Sequence, residues 1–184
     1  MINIPNVLTL LRILITPLFV IFMIKGHYRL ALLVFTLAGV SDGLDGFFAR
    51  WFNQKTVLGA HLDPIADKLL LISSFVVLAV QQIVPGWLSV VVISRDILIL
   101  MGIGILRYFN IPFTIKPSMV SKCTTAAQLA TAFLVLVGLE LAVVRPALVP
   151  LFWLTTALTT ASGMHYLYLG IRILNEEPHI DLKR

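Results

Sequence analysis

Four aspartates carry the chemistry open to this chain. Asp42 and Asp45 stand at i and i+3, and Asp63 and Asp67 at i and i+4, within the stretch DGLDGFFARWFNQKTVLGAHLDPIAD (42–67). In a helix each pair projects from one face. The chain has only nine acidic residues, and the other five (Asp96, Glu140, Glu176, Glu177 and Asp181) make no comparable pairs inside a hydrophobic stretch. Gly46 and Ala49 follow on about the same side as Asp42 and Asp45. Two acids beside two very small side chains describe a place where something bulky approaches the backbone, since a helical glycine otherwise costs about 1 kcal/mol. Without the aspartates, close helix packing would account for Gly46 and Ala49. Carboxylate oxygens without cysteine or histidine select hard divalent cations, Mg²⁺, Mn²⁺ or Ca²⁺. His61 lies two residues before Asp63, faces elsewhere on the helix and is read as a non-ligand. Two such ions close together are a common device for moving a phosphoryl group.

The elements that must hold these acids are membrane helices. Hydrophobic residues make up 59% of the 184 residues and charged residues 12%, with a mean hydropathy of +0.97. That leaves too little polar surface to coat a water-soluble globule. A hydrocarbon core takes about 20 helical residues to cross, so the sequence predicts an all-α, six-transmembrane-helix bundle forming a single domain over 1–184. The spans fall at roughly 6–24, 29–49, 62–82, 87–108, 120–140 and 148–172, separated by breaks at Lys25-Gly26-His27, Arg50 to Lys55, Pro85-Gly86, Asn110 to Pro117 and Arg145-Pro146. The first span is followed at once by another and shows no small-residue cleavage site, so it is expected to be retained. Asp42 and Asp45 end the second span, and Asp63 and Asp67 open the third. Helices joined by a short turn are expected to be antiparallel neighbours, which lets the two carboxylate pairs converge. An aspartate at the centre of a membrane helix costs about 2.5–3.5 kcal/mol, and four of them together call for a function.

Charge sets the expected orientation. If six spans alternate, one face collects Arg12, Arg50, Lys55, Lys68, Arg107, Lys116, Lys122, Arg172, Lys183 and Arg184, and the other Lys25, Arg29 and Arg145, with Arg95 inside the fourth span. Ten against three puts both termini and the acidic stretch on the cytoplasmic side of the cell membrane. The net charge of +5 is explained by that topology and by anionic lipid headgroups, and no nucleic-acid partner is expected. In the opening segment Asn6, Thr9 and Arg12 share a face, and Arg12 either snorkels to the interface or faces an anionic ligand at the acidic site. Cys123 has no second cysteine to pair with and is read as a small residue facing a neighbouring helix. Thr155, Thr156, Thr159, Thr160 and Ser162 are assigned to helix packing or a dimer face.

The order Asp42, two others, Asp45-Gly46, two others, Ala49-Arg50, eight others, Gly59, three others, Asp63, three others, Asp67 resembles the full signature of the CDP-alcohol phosphotransferase family. The resemblance implies a six-helix membrane enzyme, usually a homodimer, that binds a CDP-linked lipid and two divalent cations, Mg²⁺ or Mn²⁺. It implies that Asp42, Asp45 and Asp63 hold metal, and that Asp67 completes the metal site and acts as general base. It further implies that Asp45, Gly46, Ala49, Arg50 and Gly59 shape the pocket for the CDP group. An acceptor hydroxyl deprotonated by Asp67 would attack the lipid-linked phosphorus of CDP-diacylglycerol and release CMP.

The similarity is strongest to two subfamilies, cardiolipin synthases that use CDP-diacylglycerol and phosphatidylglycerophosphate synthases. Glycerophosphate-using enzymes typically carry Ala-Arg-Glu in the fourth span and a second arginine eight positions on. Here the triplet is Ser94-Arg95-Asp96, the eighth position after Arg95 is Ile103, and the next arginine is Arg107. Together with IKPSMVSKCTTAAQL (115–129) and LTTASGMHYLYLG near the end, this resembles the cardiolipin synthases. Phosphatidylglycerol is therefore the expected acceptor, with glycerol 3-phosphate as the alternative, and Arg95, Lys122, Arg107 and Lys116 as acceptor-side candidates. The ordinary reading of these cations is topology, with Arg95 paired to Asp96. A divalent-cation transporter built on the four aspartates is the remaining alternative. It would require polar lining toward both faces, whereas the outer ends of the spans hold no acid but Glu140.

Overall fold

A computed structural model of the chain describes the backbone of residues 4–51, 57–108 and 119–176, and side chains within 11–41, 68–105, 108 and 119–173. Among the described residues six α-helices follow one another: α1 (Ile4–Ile24), α2 (Tyr28–Trp51), α3 (Val57–Val80), α4 (Gly86–Tyr108), α5 (Met119–Glu140) and α6 (Leu148–Glu176). A 3₁₀ turn, Ala142–Ala147, leads into α6. Among the described residues there is no strand. The helices fall where the apolar runs place them, except that α3 begins five residues before the predicted 62 and α6 runs four beyond 172.

The helix ends have local causes. After α1, Gly26 adopts φ 73°, the His27 N–H donates to the Phe22 carbonyl at 2.9 Å and the Gly26 N–H to Met23 at 3.1 Å. This is the left-handed cap that glycine makes without steric cost. The end of α3 repeats the geometry with Gln82 at φ 59°, Ile83 N–H to the Leu78 carbonyl at 2.9 Å and Gln82 N–H to Ala79 at 3.0 Å. Pro85 then stops the chain from continuing the helix, and α4 begins at Gly86.

Among the described residues the helices pack in a closed cyclic order, α1–α2–α5–α6–α4–α3 and back to α1, with α3 also touching α5. Among the described residues α1 packs extensively on both α2 and α3. The core is apolar toward the α1–α2–α3 side, with Phe19, Met23, Phe35, Phe75, Leu78 and Leu88 buried. It is polar where α5 meets α6. There the Gln128 amide donates to Thr159 Oγ1 at 3.1 Å, Thr131 and Thr155 hydroxyls meet at 2.7 Å, and Thr124 Oγ1 donates to the Leu158 carbonyl at 3.0 Å. Thr155, Thr159 and Ser162 are fully buried, so these three residues serve helix packing, whereas Thr160 is exposed. Cys123 is exposed; the expectation that it faces a neighbouring helix is corrected, because Thr124 takes the inward position on that turn of α5.

The outside reverses a soluble protein's pattern. Leu14, Val80, Val90, Trp153 and Met164 are all exposed, as lipid-facing side chains should be. Among the described residues three helical stretches are long and apolar enough to cross a bilayer: Gly86–Ile105, Met119–Glu140 and Ala142–Ile173. The described apolar parts of α1, α2 and α3 are shorter: Leu11–Ile24, Tyr28–Ser41 and Lys68–Val80. The chain is a membrane protein. Trp87 and Trp153 lie with ring centroids 5.2 Å apart, both exposed, as befits an aromatic belt at one bilayer surface.

Candidate active site

The backbone sets the acidic segments on two helices. Asp42, Asp45, Gly46, Ala49 and Arg50 occupy the last turns of α2, and Gly59, Asp63 and Asp67 the first turns of α3. The helical register that the i, i+3 and i, i+4 spacings require is therefore present. The side chains of residues 42–67 lie outside the described residues, as do those of Arg107 and Lys116. The residues bordering the two segments are described, and they share one cavity. Gly39, one turn before Asp42, and Lys68, directly after Asp67, line a space of about 70 Å³ together with Arg12, Thr125 and Leu129. α2 and α3, which α1 keeps apart over most of the described ring, thus both border this opening where the carboxylate-bearing segments begin.

Beside the cavity four helices converge on one buried ion cluster. Arg95 on α4 is 5% exposed and Asp96 is 1% exposed. Arg95 Nη1 donates to Asp96 Oδ1 at 2.8 Å, Nη2 to Ser121 Oγ of α5 at 2.6 Å and to Ser162 Oγ of α6 at 2.7 Å, and Nε to Ser162 at 3.2 Å. Its guanidinium carbon lies 5.8 Å from the centroid of the Tyr166 ring, within cation–π range. Gly163 makes room for the arginine stem: a Cβ there would meet Arg95 Cγ at 3.6 Å. Lys68 on α3 donates to the same Asp96 Oδ1 at 2.5 Å. The other carboxylate oxygen, Oδ2, is buried and has no hydrogen-bond partner among the described residues.

The acceptor-side candidates separate. Arg95 is held rigidly at the junction of α4, α5 and α6, with the Asp96 pairing that its ordinary reading expected. Lys122 is exposed on α5, and it is the preceding residue, Ser121, that reaches Arg95. Lys68, counted in the sequence only as a basic residue of one face, belongs to the cluster. A signal for it existed: Lys68 and Asp96 are equidistant from Gln82 at the α3–α4 turn, so antiparallel packing of consecutive helices sets them opposite each other. Alongside Arg95, α4 and α6 also leave an apolar groove of about 520 Å³, lined by Ile97, Met101, Gly102, Tyr166, Gly170 and Ile171.

The described part of the site is thus a buried cluster of two cations on one carboxylate, bordering the helix segments that carry the four aspartates. The family model described as CDP-alcohol phosphatidyltransferase matches residues 2–161. The chain is 34% identical over 182 residues to the human cardiolipin synthase (CMP-forming), covering 90% of this chain and 60% of that protein. It is 32% identical over 190 residues to the CDP-diacylglycerol--glycerol-3-phosphate 3-phosphatidyltransferase of Bacillus subtilis, covering 90% and 94%, and 40% identical over 116 residues to the cardiolipin synthase (CMP-forming) of Streptomyces coelicolor, covering 60% and 54%. The chain thus spans about 60% of the length of its human and rat relatives. With a family match over most of its length, the chain belongs to the CDP-alcohol phosphatidyltransferase family.

Proposed function

We propose that this protein transfers the phosphatidyl group of CDP-diacylglycerol to a hydroxyl of phosphatidylglycerol, giving cardiolipin and CMP. The observation that carries the choice of acceptor is Arg95, buried and fixed by Asp96, Ser121 and Ser162 one position from Ser94. It has no second arginine eight positions on, where Ile103 stands. An anionic headgroup is met by one fixed guanidinium, and the remainder of a lipid acceptor is held by its acyl chains. Similarity to cardiolipin synthases of human, rat and Streptomyces coelicolor supports the same acceptor.

In this reading Asp42, Asp45, Asp63 and Asp67 hold two divalent cations, Mg²⁺ or Mn²⁺. The donor set fits, being all carboxylate oxygen, and the shared cavity at Gly39 and Lys68 supports the approach of the two segments. When bound, the cations neutralise the pyrophosphate and its developing negative charge. Asp45, Gly46, Ala49, Arg50 and Gly59 seat the CDP group. Asp67 accepts the proton of the acceptor hydroxyl; the oxygen forms the new bond to the lipid-linked phosphorus, the bond to CMP breaks, and CMP leaves with the electron pair. A carboxylate beside cations stays ionised and available as base. Six spans, a cytoplasmic site and a homodimer complete the proposal. The six spans are supported by the six apolar helices, the cytoplasmic site by the ten-to-three distribution of basic residues that six alternating spans give with the positive-inside rule, and the dimer by the family resemblance.

A second reading, glycerol 3-phosphate as acceptor, is favoured by the Bacillus subtilis relative, whose length is almost wholly covered. Purified protein incubated with labelled CDP-diacylglycerol and each acceptor in turn separates the two. Product with phosphatidylglycerol is expected, and turnover with glycerol 3-phosphate alone overturns the first reading.

A further inference from the structure

The groove of about 520 Å³ between α4 and α6 has a definite length. On α4 its lining runs from Ser94 to Ile105, about 16 Å at a helical rise of about 1.5 Å per residue. That is the second half of the apolar span Gly86–Ile105, and on α6 the lining, Tyr166 to Ile171, falls in the last part of Ala142–Ile173. The groove therefore covers the depth of one leaflet, half of a hydrocarbon core about 30 Å thick. A helix of a second copy would cross the whole core, whereas an acyl chain ends at its middle. Ile97, Met101, Ile105, Leu167 and Ile171 are exposed, so the groove opens toward lipid. Gly102 on one wall and Gly170 on the other keep it wide, with nothing within 4 Å of where a Cβ would stand. Water entering it would meet only the Ser94 and Tyr166 side chains as polar partners, too few along its length to hold a file of water.

We propose that this groove seats one acyl chain of the phospholipid acceptor. The inference rests on the phosphatidylglycerol reading and deepens it, giving the acceptor's chain a place on the bundle. Tyr166 joins the groove to the ion cluster, since it lines the one and its ring lies 5.8 Å from the guanidinium carbon of Arg95 in the other. Depth agrees. By equidistance from Gln82 across the α3–α4 turn, Ile97 stands level with Asp67 and Met101 with Asp63, so a lipid upright in the groove stands at the depth of the second carboxylate pair. Among the described residues only α4 and α6 line the groove, which leaves the α2 and α3 segments to the donor. Lipid tails outside are as apolar as the groove, so what it adds is packing and a fixed orientation of the acceptor.

Kinetics of the full chain in detergent supply the first test. In Gly102→Leu and Gly170→Leu the KM for dioleoyl phosphatidylglycerol should rise about threefold, a modest change because packing alone distinguishes the groove from the surrounding tails. The KM for dihexanoyl phosphatidylglycerol, whose chains are too short to follow the groove, and the KM for CDP-diacylglycerol should stay unchanged. Gly104→Leu, on α4 but outside the groove lining, should move none of the three. An unmoved dioleoyl KM, or an equal rise with the dihexanoyl acceptor, overturns the site; a rise for the donor alone gives the groove to CDP-diacylglycerol and overturns it too. In vesicles, phosphatidylglycerol with a diazirine at the end of one chain should label residues 94–105 and 166–171 of the wild type and lose that labelling in Gly102→Leu. Equal labelling by a phosphatidylcholine with the same chain makes this a site for bulk lipid. A Gly102→Leu protein that light scattering finds monomeric where the wild type is dimeric gives the groove to a second copy, and either result overturns the proposal. Wild-type turnover of glycerol 3-phosphate without turnover of phosphatidylglycerol removes the acceptor reading and this inference together, whereas unmoved KM values in an enzyme that does use phosphatidylglycerol remove the groove alone.

Discussion

Removing Asp96 and removing either of its cations are different experiments. Asp96→Ala leaves Lys68 and Arg95 facing each other without their shared acid, and breaking a buried ion pair in this way typically costs about 3–5 kcal/mol. Unfolding of the detergent-solubilised variant should show a loss of that size, against little or none for Lys68→Gln. Arg95→Lys keeps the charge but gives up the planar fork that reaches Asp96, Ser121 and Ser162 together, and a lysine cannot replace such a fork. The expected result is an acceptor KM raised about tenfold, or about 1.4 kcal/mol, with CDP-diacylglycerol KM unchanged. Asp67→Asn should abolish transfer while CDP-diacylglycerol binding, measured by equilibrium dialysis with labelled CDP, persists; near-normal turnover would refute Asp67 as the base. The Arg95–Asp96 contact was legible because the residues are adjacent and intramembrane charges pair. Lys68 was legible only in part: antiparallel packing of α3 and α4 sets it opposite Asp96, 28 positions away, but nothing in the sequence shows which of its faces turns toward α4.

At the level of elements, the apolar runs and the breaks between them located all six helices, since each break carries its own chemistry: Gly26 in the left-handed region, Pro85 ahead of α4, Arg145-Pro146 in the 3₁₀ turn. The cyclic order was not legible. A short turn between α2 and α3 suggests direct neighbours, yet α1 packs on both, and nothing in hydropathy says which face of a uniformly apolar helix meets which partner. The α5–α6 contact was half visible. The threonine-rich run announced hydrogen bonding across helices, but the partners on α5, Thr124, Gln128 and Thr131, emerge only from packing. Thr131 Oγ1 also lies 2.7 Å from the Ala127 carbonyl. If its one proton goes there, Thr155 donates to Thr131. A double-mutant cycle of Thr131→Val and Thr155→Val, followed by unfolding in detergent, should give a coupling of about 0.6 kcal/mol and no more than about 1.7. A coupling of zero would mean that the two hydroxyls act independently.

For the whole molecule the decisive quantity is orientation, because the proposed site functions only on the side where CDP-diacylglycerol presents its nucleotide. The 3₁₀ turn and the α3–α4 turn lie at the same end of the bundle if the helices alternate, and that end carries only Lys25, Arg29 and Arg145. There Arg29 Nε donates to Glu140 at 2.6 Å, with 87% of the arginine side chain exposed; the rule counts Lys and Arg and not net charge, so the count of three stands. On the same alternation the opposite end takes the ten basic residues counted in the sequence. Its cations lie where anionic lipid headgroups add about 1 kcal/mol of attraction per Lys or Arg, which favours delivery of anionic acceptors to that face. The native Cys123 makes the test clean: in a Cys123→Ala background, Val143→Cys sits on the 3₁₀ turn at 83% exposure and Tyr108→Cys at the end of α4 at 82%. An impermeant maleimide applied to intact cells should label Val143→Cys at once and Tyr108→Cys only after permeabilisation. The opposite pattern would turn the bundle over, place the four aspartates outside, and leave Arg95 and Lys68 on the wrong side of the membrane for a nucleotide-linked donor made in the cytoplasm.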